Sequence, residues 1–280
     1  MDWLQALQHC RERRIACVLV TVTDVRGHAP REAGAKLVVT EDETWGSVGG
    51  GNLEEAAVRR ARGLLRGLAL TGAAAPVTEH HTLSDKAPAE HGVQCCGGEV
   101  TLLLEPLPVR PSVAIFGMGH VGLEIALLLS RHEVELHLVD SRADQLEATR
   151  LAPVLAGPAS VAVHQVPVLP ELVVAELPAG THVLVLTHDH AEDLAILDAL
   201  LRSEVPASIG LIGSSAKWTR FQAKLADLGH APEAVARVRT PIGDPALTGV
   251  PGKQPAAIAV SVTVEVLSLI GATSVSTLER

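Results

Sequence analysis

Ser112-Val113-Ala114-Ile115-Phe116-Gly117-Met118-Gly119-His120-Val121-Gly122 decides the fold class of this 280-residue chain. The first five residues read as a short buried strand and Leu123–Arg131 as a helix. A second strand, Glu135–Val139, ends on Asp140. Gly117, Gly119 and Gly122 fit the dinucleotide-binding fingerprint, and Asp140 falls the required distance of about 20 residues further on. Asp140 is placed to accept ribose hydroxyls, which favours NAD over NADP, although Ser141-Arg142 beside it leaves both in play. Strand, glycine turn, helix and terminal carboxylate together carry the fold. They do not carry occupancy, because such a turn also serves packing and holds other pyrophosphate ligands.

Downstream the alternation continues. His182–Thr187 is a second central strand, with His188-Asp189-His190 at its carboxyl end, where open parallel sheets bind ligands. Two imidazoles around a carboxylate suit acid–base work or a metal, while Asp189 capping the next helix between solvated histidines is an equally good reading. Ile209–Lys217 supplies another strand and glycine turn through Gly213, with Ser214 or Ser215 as a cap. Pro255–Ile270 closes the chain as an apolar helix. Three prolines within Glu105–Pro111 form a stiff connector. The expectation is an α/β chain: a smaller α+β domain at residues 1–108, then a Rossmann-like doubly wound parallel sheet at residues 109–280.

Upstream, Asp2–Arg14 reads as a helix and Ile15–Thr23 as a strand. The segment Asp24–Lys36 reads as a loop that carries Arg26, His28, Arg31 and Lys36 between glycines. So basic a loop in an acidic chain points to an anionic ligand more than to a solvated hairpin. Gly49-Gly50-Gly51 then runs into Asn52, a good N-cap, with Glu54 and Glu55 suited to the first helical turn. Free N–H groups there would attract an anion, and the missing Lys-Ser/Thr of a P-loop argues against ATP. Residues 72–93 read as polar and irregular.

Gln94-Cys95-Cys96-Gly97-Gly98 follows, with His80, His81 and His91 before it. Neighbouring cysteines rarely bond to each other, because the small ring strains the peptide between them. Two free thiols and two glycines can bring sulfur and backbone N–H groups to one ligand; the alternative is a buried small hydrophobe beside an incidental one. Adjacent Cys-Cys and His-His lack the two-residue gaps of a zinc knuckle.

Composition narrows the classes further. Hydrophobic content of 47% and charged content of 20% suit a globular chain with an ample core. A net charge of −9 and 2% aromatic residues speak against nucleic-acid binding. No stretch reaches the ~20 apolar residues of a membrane span, and Met1-Asp2-Trp3-Leu4 does not resemble a secretory signal. Four cysteines without a framework spacing fit a reducing cytoplasm.

Taken together, several blocks resemble the xanthine dehydrogenase accessory protein family, XdhC and the related CoxI proteins. In the first half they are Gly27–Gly34, Gly49–Glu54 and Gln94–Gly98. In the second they are Gly117–Gly122, Thr187–His190, Gly210–Ser214, Pro241-Ile242-Gly243 and Ile258–Ser261. Val93, Ser208, Ala216, Asp244 and Ala257 depart from the usual pattern. The resemblance implies a maturation chaperone, without turnover of its own, that binds molybdenum cofactor (molybdopterin). It would deliver the sulfurated form to xanthine dehydrogenase or a related molybdenum hydroxylase. It also implies a cysteine desulfurase partner and a homodimer. In that reading Arg26 and Arg31 offer charge, and Gly49, Gly50, Gly51, Asn52, Gln94, Gly97, Gly98, Gly117, Gly119, Gly122, Asp140, Gly213 and Ser214 line the cofactor. Cys95 or Cys96 meets the metal, and the reactive groups are these cysteines with His188, Asp189 and His190. The rival reading is an NAD(P)-dependent oxidoreductase built on Gly117–Gly122 and the histidine loop; a redox or metal-binding thiol protein is the third.

Overall fold

The computed structural model describes residues 1–72, 74–83, 97–243, 252 and 254–275. They form two compact units, residues 1–109 together with 272–275, and residues 110–271.

The first unit is built on a five-stranded antiparallel sheet, in the order β3-β2-β1-β5-β4. Its strands are β1 (Cys17–Arg26), β2 (Lys36–Val39), β3 (Thr44–Gly46), β4 (Val77–Thr82) and β5 (Glu99–Leu107). Period-two alternation sorts their side chains onto two faces. Val18, Val20, Val22, Leu37, Val39, Val100, Leu102 and Leu104 pack against Leu53, Ala57, Ala61 and Leu65 of helix α2 (Gly51–Thr71). Cys17 and Val38 pack with Ala6 and Cys10 of helix α1 (Trp3–Glu12). Helix α1 starts on a capping box, in which Asp2 accepts from the Gln5 amide and Gln5 returns to the Asp2 amide.

Three sequence expectations need correction. β1 runs through Arg26 rather than stopping at Thr23, because a bulge between Val22 and Asp24 lets the strand continue against β5. β4 lies where an irregular stretch was expected. Its Val-Thr-Glu-His-His-Thr sequence is polar because it is an edge strand, half buried on alternate residues. The α2 N-cap is Gly50, not Asn52, which lies inside the first turn.

The second unit holds a six-stranded sheet in the order β11-β10-β9-β6-β7-β8, with every pair parallel. The strands are β6 (Ser112–Phe116), β7 (Glu135–Asp140), β8 (Ser160–Gln165), β9 (Thr181–Val185), β10 (Pro206–Leu211) and β11 (Val238–Arg239). This is the strand order of a doubly wound dinucleotide-binding sheet, and it reverses between β6 and β9. Helices α3 (His120–Leu129), α4 (Ala148–Leu155) and α8 (Pro255–Val275) cover one face. Helices α5 (His190–Arg202), α6 (Ser215–Asp227) and the short α7 (Pro232–Val235) cover the other. β6 and β9 are buried at every residue, as central strands covered on both faces must be. None of the described helices is long and apolar enough to cross a membrane.

Candidate functional site

In the first unit, three of the sequence motifs meet at one end of the antiparallel sheet. Arg26, the last residue of β1, pairs with Glu99, the first of β5, and Thr82 ends β4 against the same residue. The Leu83 amide donates to Gly98 O (2.8 Å) and the Gly97 amide to Leu83 O (2.7 Å), so the two strands are tied where the chain leaves and returns. Gly98 has to be glycine. A Cβ there would overlap the His28 carbonyl and sit 2.7 Å from Arg26 O. Gly49 lies against Pro30, whose Cγ would be 2.8 Å from an added Cβ. The Gly97-Gly98, Arg26–Pro30 and Gly49–Gly51 segments are therefore in contact or one neighbour removed. Arg26 and Arg31 are exposed at this end; Arg26 is 77% exposed and only loosely paired with Asp24 at 3.4 Å. Gln94, Cys95 and Cys96, which immediately precede Gly97, lie outside the described residues.

The glycine triplet does not present a bare row of donors. Glu54, one turn into α2, turns its carboxylate back over the helix start. Its Oε2 accepts from Ser47 Oγ (2.5 Å), the Val48 amide (3.1 Å) and the Gly50 amide (3.1 Å). The Gly49 amide donates to Ser47 Oγ (3.1 Å). An internal carboxylate and hydroxyl thus take the Gly49 and Gly50 amides that the sequence offered to an outside anion, and the Val48 amide beside them. Glu54 was legible as a helix-dipole residue but not as this clasp.

The second unit places its motifs along the carboxyl edge of the parallel sheet. The Gly117–Gly122 turn follows β6, and the Thr187–His190 loop follows β9, on the two sides of the topological switch point. A Cβ on Gly117 (φ +107°) would overlap Leu186 O, and one on Gly122 would overlap Gly117 O. Those two glycines are needed for the turn and for helix packing. Gly119, the α3 N-cap, has φ −64°, and an added Cβ would meet nothing within 4 Å.

Asp140 stands at the expected strand end, and it is 2% exposed. Its Oδ2 accepts from the Met118 amide (2.6 Å) and Arg142 Nη2 (2.9 Å), its Oδ1 from the Arg142 amide (2.9 Å) and Nε (2.9 Å). Four donors fill the four lone-pair directions of a carboxylate. Burial works against its charge, but the hydrogen bonds from Arg142 and Met118 more than offset it and hold its pKa below the usual carboxylate value.

His188, Asp189 and His190 are all exposed. Asp189 is the α5 N-cap, accepting from the Ala191 amide (2.5 Å). His190 sits edge-on to Phe221 at 6.1 Å, and His188 lies 3.9 Å from Glu192. The residue that holds this loop is Asp193, wholly buried. Its Oδ1 accepts from the Thr187 amide (3.0 Å) and hydroxyl (2.8 Å), while Lys217 Nζ donates to its Oδ2 and to Ile212 O. Lys217 belongs to α6, whose N-cap is Ser214, and its stem fills the space a Cβ on Gly213 would need. One buried ion pair thereby joins the loops after β9 and β10. The sequence showed both residues, but nothing in their spacing, 24 residues apart, paired them. Glu265 of α8 plays a similar part nearby, accepting from Arg239 Nε and the Gly243 amide at 2.7 Å each.

Sequence-expected residues thus fall into two groups, Arg26, Arg31, Gly49–Asn52, Gly97 and Gly98 in one unit, and Gly117–Gly122, Asp140, His188–His190, Gly213 and Ser214 in the other. No group of three or more His, Cys, Asp or Glu among the described residues is arranged to hold a metal ion. Cys10 and Cys17 are buried against each other, and burial, with the neighbouring thiol adding to it, pushes Cys17 up to about 12. Neither is a reactive thiolate at neutral pH.

Comparison with known proteins gives these geometries a family. Residues 113–266 match the XdhC Rossmann domain and residues 10–71 the XdhC and CoxI family. YqeB of Escherichia coli K12 is 24% identical over 258 residues, which cover 92% of this chain and 44% of YqeB. The chain therefore spans less than half the length of that relative. PaoD of Escherichia coli K12, a molybdenum cofactor insertion chaperone, is 27% identical over 253 residues, 81% of this chain and 76% of PaoD. A crystal structure of a xanthine dehydrogenase from Bacillus halodurans aligns over 97% of this chain and 96% of its own at 18% identity and a TM-score of 0.47. The Rossmann-domain match alone spans more than half of the sequence, and the chain belongs to the XdhC family.

Proposed function

We propose that this protein is a molybdenum cofactor chaperone, which binds the cofactor, shields it and hands it in sulfurated form to xanthine dehydrogenase or a related molybdenum hydroxylase. The observation that carries the reading is the meeting of Gly97-Gly98, Arg26–Pro30 and Gly49 at one end of the first sheet. The similarity to PaoD supports the same cargo. The cargo has a phosphate tail and a metal held by sulfur. The residues fit both ends. Exposed Arg26 and Arg31 offer charge to the tail, and the Cys95-Cys96 pair next to Gly97 offers soft ligands to the metal. Cys10 and Cys17 do not compete for that role, being buried neutral thiols. In this reading the protein works in the cytoplasm as a homodimer and receives sulfur from a cysteine desulfurase. It has no turnover of its own.

The test is cofactor transfer from purified protein to a cofactor-free molybdenum hydroxylase. The Cys95→Ala/Cys96→Ala double variant is expected to lose transfer, and full transfer by that variant would reject the reading. The NAD(P)-dependent oxidoreductase reading draws on Gly117–Gly122, but Asp140 offers no open oxygen to a ribose diol. Hydride transfer to or from NAD(H) by the purified chain would revive it.

A further inference from the structure

The two sheets end on β3, β4, β8 and β11, and three of these edges are guarded against further pairing. β11 has two residues and β3 three, too short to template another strand. β4 carries Glu79, held by Arg60 Nε at 2.8 Å, between its polar neighbours. β8 has no such guard. Its six residues, Ser160-Val161-Ala162-Val163-His164-Gln165, include no acid, lysine, arginine or proline, and their ladder with β7 runs without a bulge.

The backbone of β8 is only half used. The Ser160 amide donates to Val134 O (3.0 Å) and the Val166 amide to Asp140 O (3.2 Å), so the even-numbered residues turn their N–H and C=O groups to β7. Val161, Val163 and Gln165 turn theirs away from the sheet, and none of those groups has a partner among the described residues. Val163 shares a face with Leu138, under α3 and α4, yet is 45% exposed. Apolar surface continues along the chain on both sides, at exposed Leu155 before the strand and Val168 and Leu172 after it.

We infer that β8 is a self-association surface. Two copies of this chain pair β8 with β8 antiparallel, about a two-fold axis through Val163, and join their parallel sheets into one. That axis sets Val163 against the second copy's Val163, Val161 against its Gln165 and Ala162 against its His164. All three outward-turned residues are then paired, whereas an axis through Ala162 would set Gln165 opposite Ala159, beyond the strand. Side chains match as well: valine meets valine on the α4 face, and small Ala162 receives an imidazole on the other. Charge selects a second copy as the occupant. The chain carries a net −9, so two copies repel each other except where neither brings a charge, and β8 is such a place. An edge that satisfies itself is also what a two-fold interface requires. The inference rests on the homodimer of the proposed function and assigns its surface; no cofactor-binding residue takes part.

Sedimentation equilibrium of the full chain tests it, on the wild type, on Val163→Lys, on Val163→Glu and on an equal mixture of the two variants. The wild type is expected to dimerise. Each variant alone should dimerise at least about tenfold more weakly, because the new charge meets its own copy on the axis. The mixture should recover dimer, because opposite charges then face each other, and a variant that merely misfolded would recover nothing. Single variants that dimerise as tightly as the wild type overturn the surface and leave the homodimer standing. A mixture that recovers no dimer also overturns the inference. A monomeric wild type overturns the surface and the homodimer together, while cofactor transfer, measured separately, decides the rest of the proposed function.

Discussion

The two glycine-rich helix starts of this molecule look alike in sequence and differ in who occupies their amides. Before α2, the carboxylate comes from four residues beyond the N-cap: Glu54 folds back and, with Ser47, takes the amides of Val48, Gly49 and Gly50. Before α3, the carboxylate comes from the next strand, and Asp140 takes one amide of the turn, that of Met118, while clamping Arg142. The first turn is closed by its own helix. The second is braced from behind and left open in front of Gly119. A run of glycines therefore marks a place where the backbone is approached closely, and the partner has to be found in the structure.

The largest effect is expected where the brace is deepest. Asp193→Ala leaves Lys217 buried without its counter-charge and should cost about 3–5 kcal/mol in urea unfolding. Asp193→Leu combined with Lys217→Met should recover most of it, since replacing both partners of a buried pair is often neutral. If the single change costs under about 1 kcal/mol, the pair is not what joins the loops after β9 and β10.

Next come the glycines themselves. Gly122→Ala drives a methyl into the Gly117 carbonyl and should destabilise by about 1–3 kcal/mol or more. Gly51→Ala meets no neighbour and pays only for its φ of +58°, about 1–2 kcal/mol. Equal losses would mean that crowding does not distinguish the two turns.

Glu54→Ala probes the closed turn directly. It removes the acceptor of two amides and a hydroxyl, and should cost about 1.5–3 kcal/mol. Hydrogen exchange at Val48 and Gly50 should quicken, and added phosphate should slow it again in the variant but not in the wild type. No change in exchange would contradict the clasp.

The smallest effect is on the acid side. Asp140 has its folded pKa held below the unfolded value, so its contribution to stability is present above the unfolded pKa of about 3.9. That contribution is lost as pH falls through the lower folded pKa. Asp140→Asn should be less stable than the wild type at neutral pH, with the difference shrinking below about pH 4. A difference constant across that window would show that charge at Asp140 is not what holds Met118 and Arg142.

Where hydrophobic period and local chemistry agreed, the sequence was enough. Ser112–Asp140 announced strand, turn, helix and strand, one of the two serines offered as a cap, Ser214, is the cap, and the doubly wound parallel sheet is the one the fingerprint implies. Legibility failed where the partner or the rotamer that decides a residue's role cannot be read from the sequence. β4 looked irregular because its alternating residues are polar on an edge, and only its ladder with β5 reveals it. Asn52 has the better capping side chain, yet the Glu54 clasp sets the helix start at Gly50. Asp140 was read as a ribose acceptor with Arg142 beside it keeping NADP in play; that Arg142 grips the same carboxylate through two nitrogens depends on a rotamer the sequence does not show. His188-Asp189-His190 was read both ways; the cap geometry is realised at Asp189, while Asp193 was legible only as a residue at the start of the helix and not as the buried anchor of the loop.

Retention of molybdenum cofactor by the full chain tests the central claim most directly, read as pterin and molybdenum per chain after gel filtration. The wild type is expected to retain both. The Cys95→Ala/Cys96→Ala variant should lose them at an unchanged melting temperature, and the Cys10→Ala/Cys17→Ala variant should keep them. Retention that survives loss of the adjacent cysteines would contradict the account.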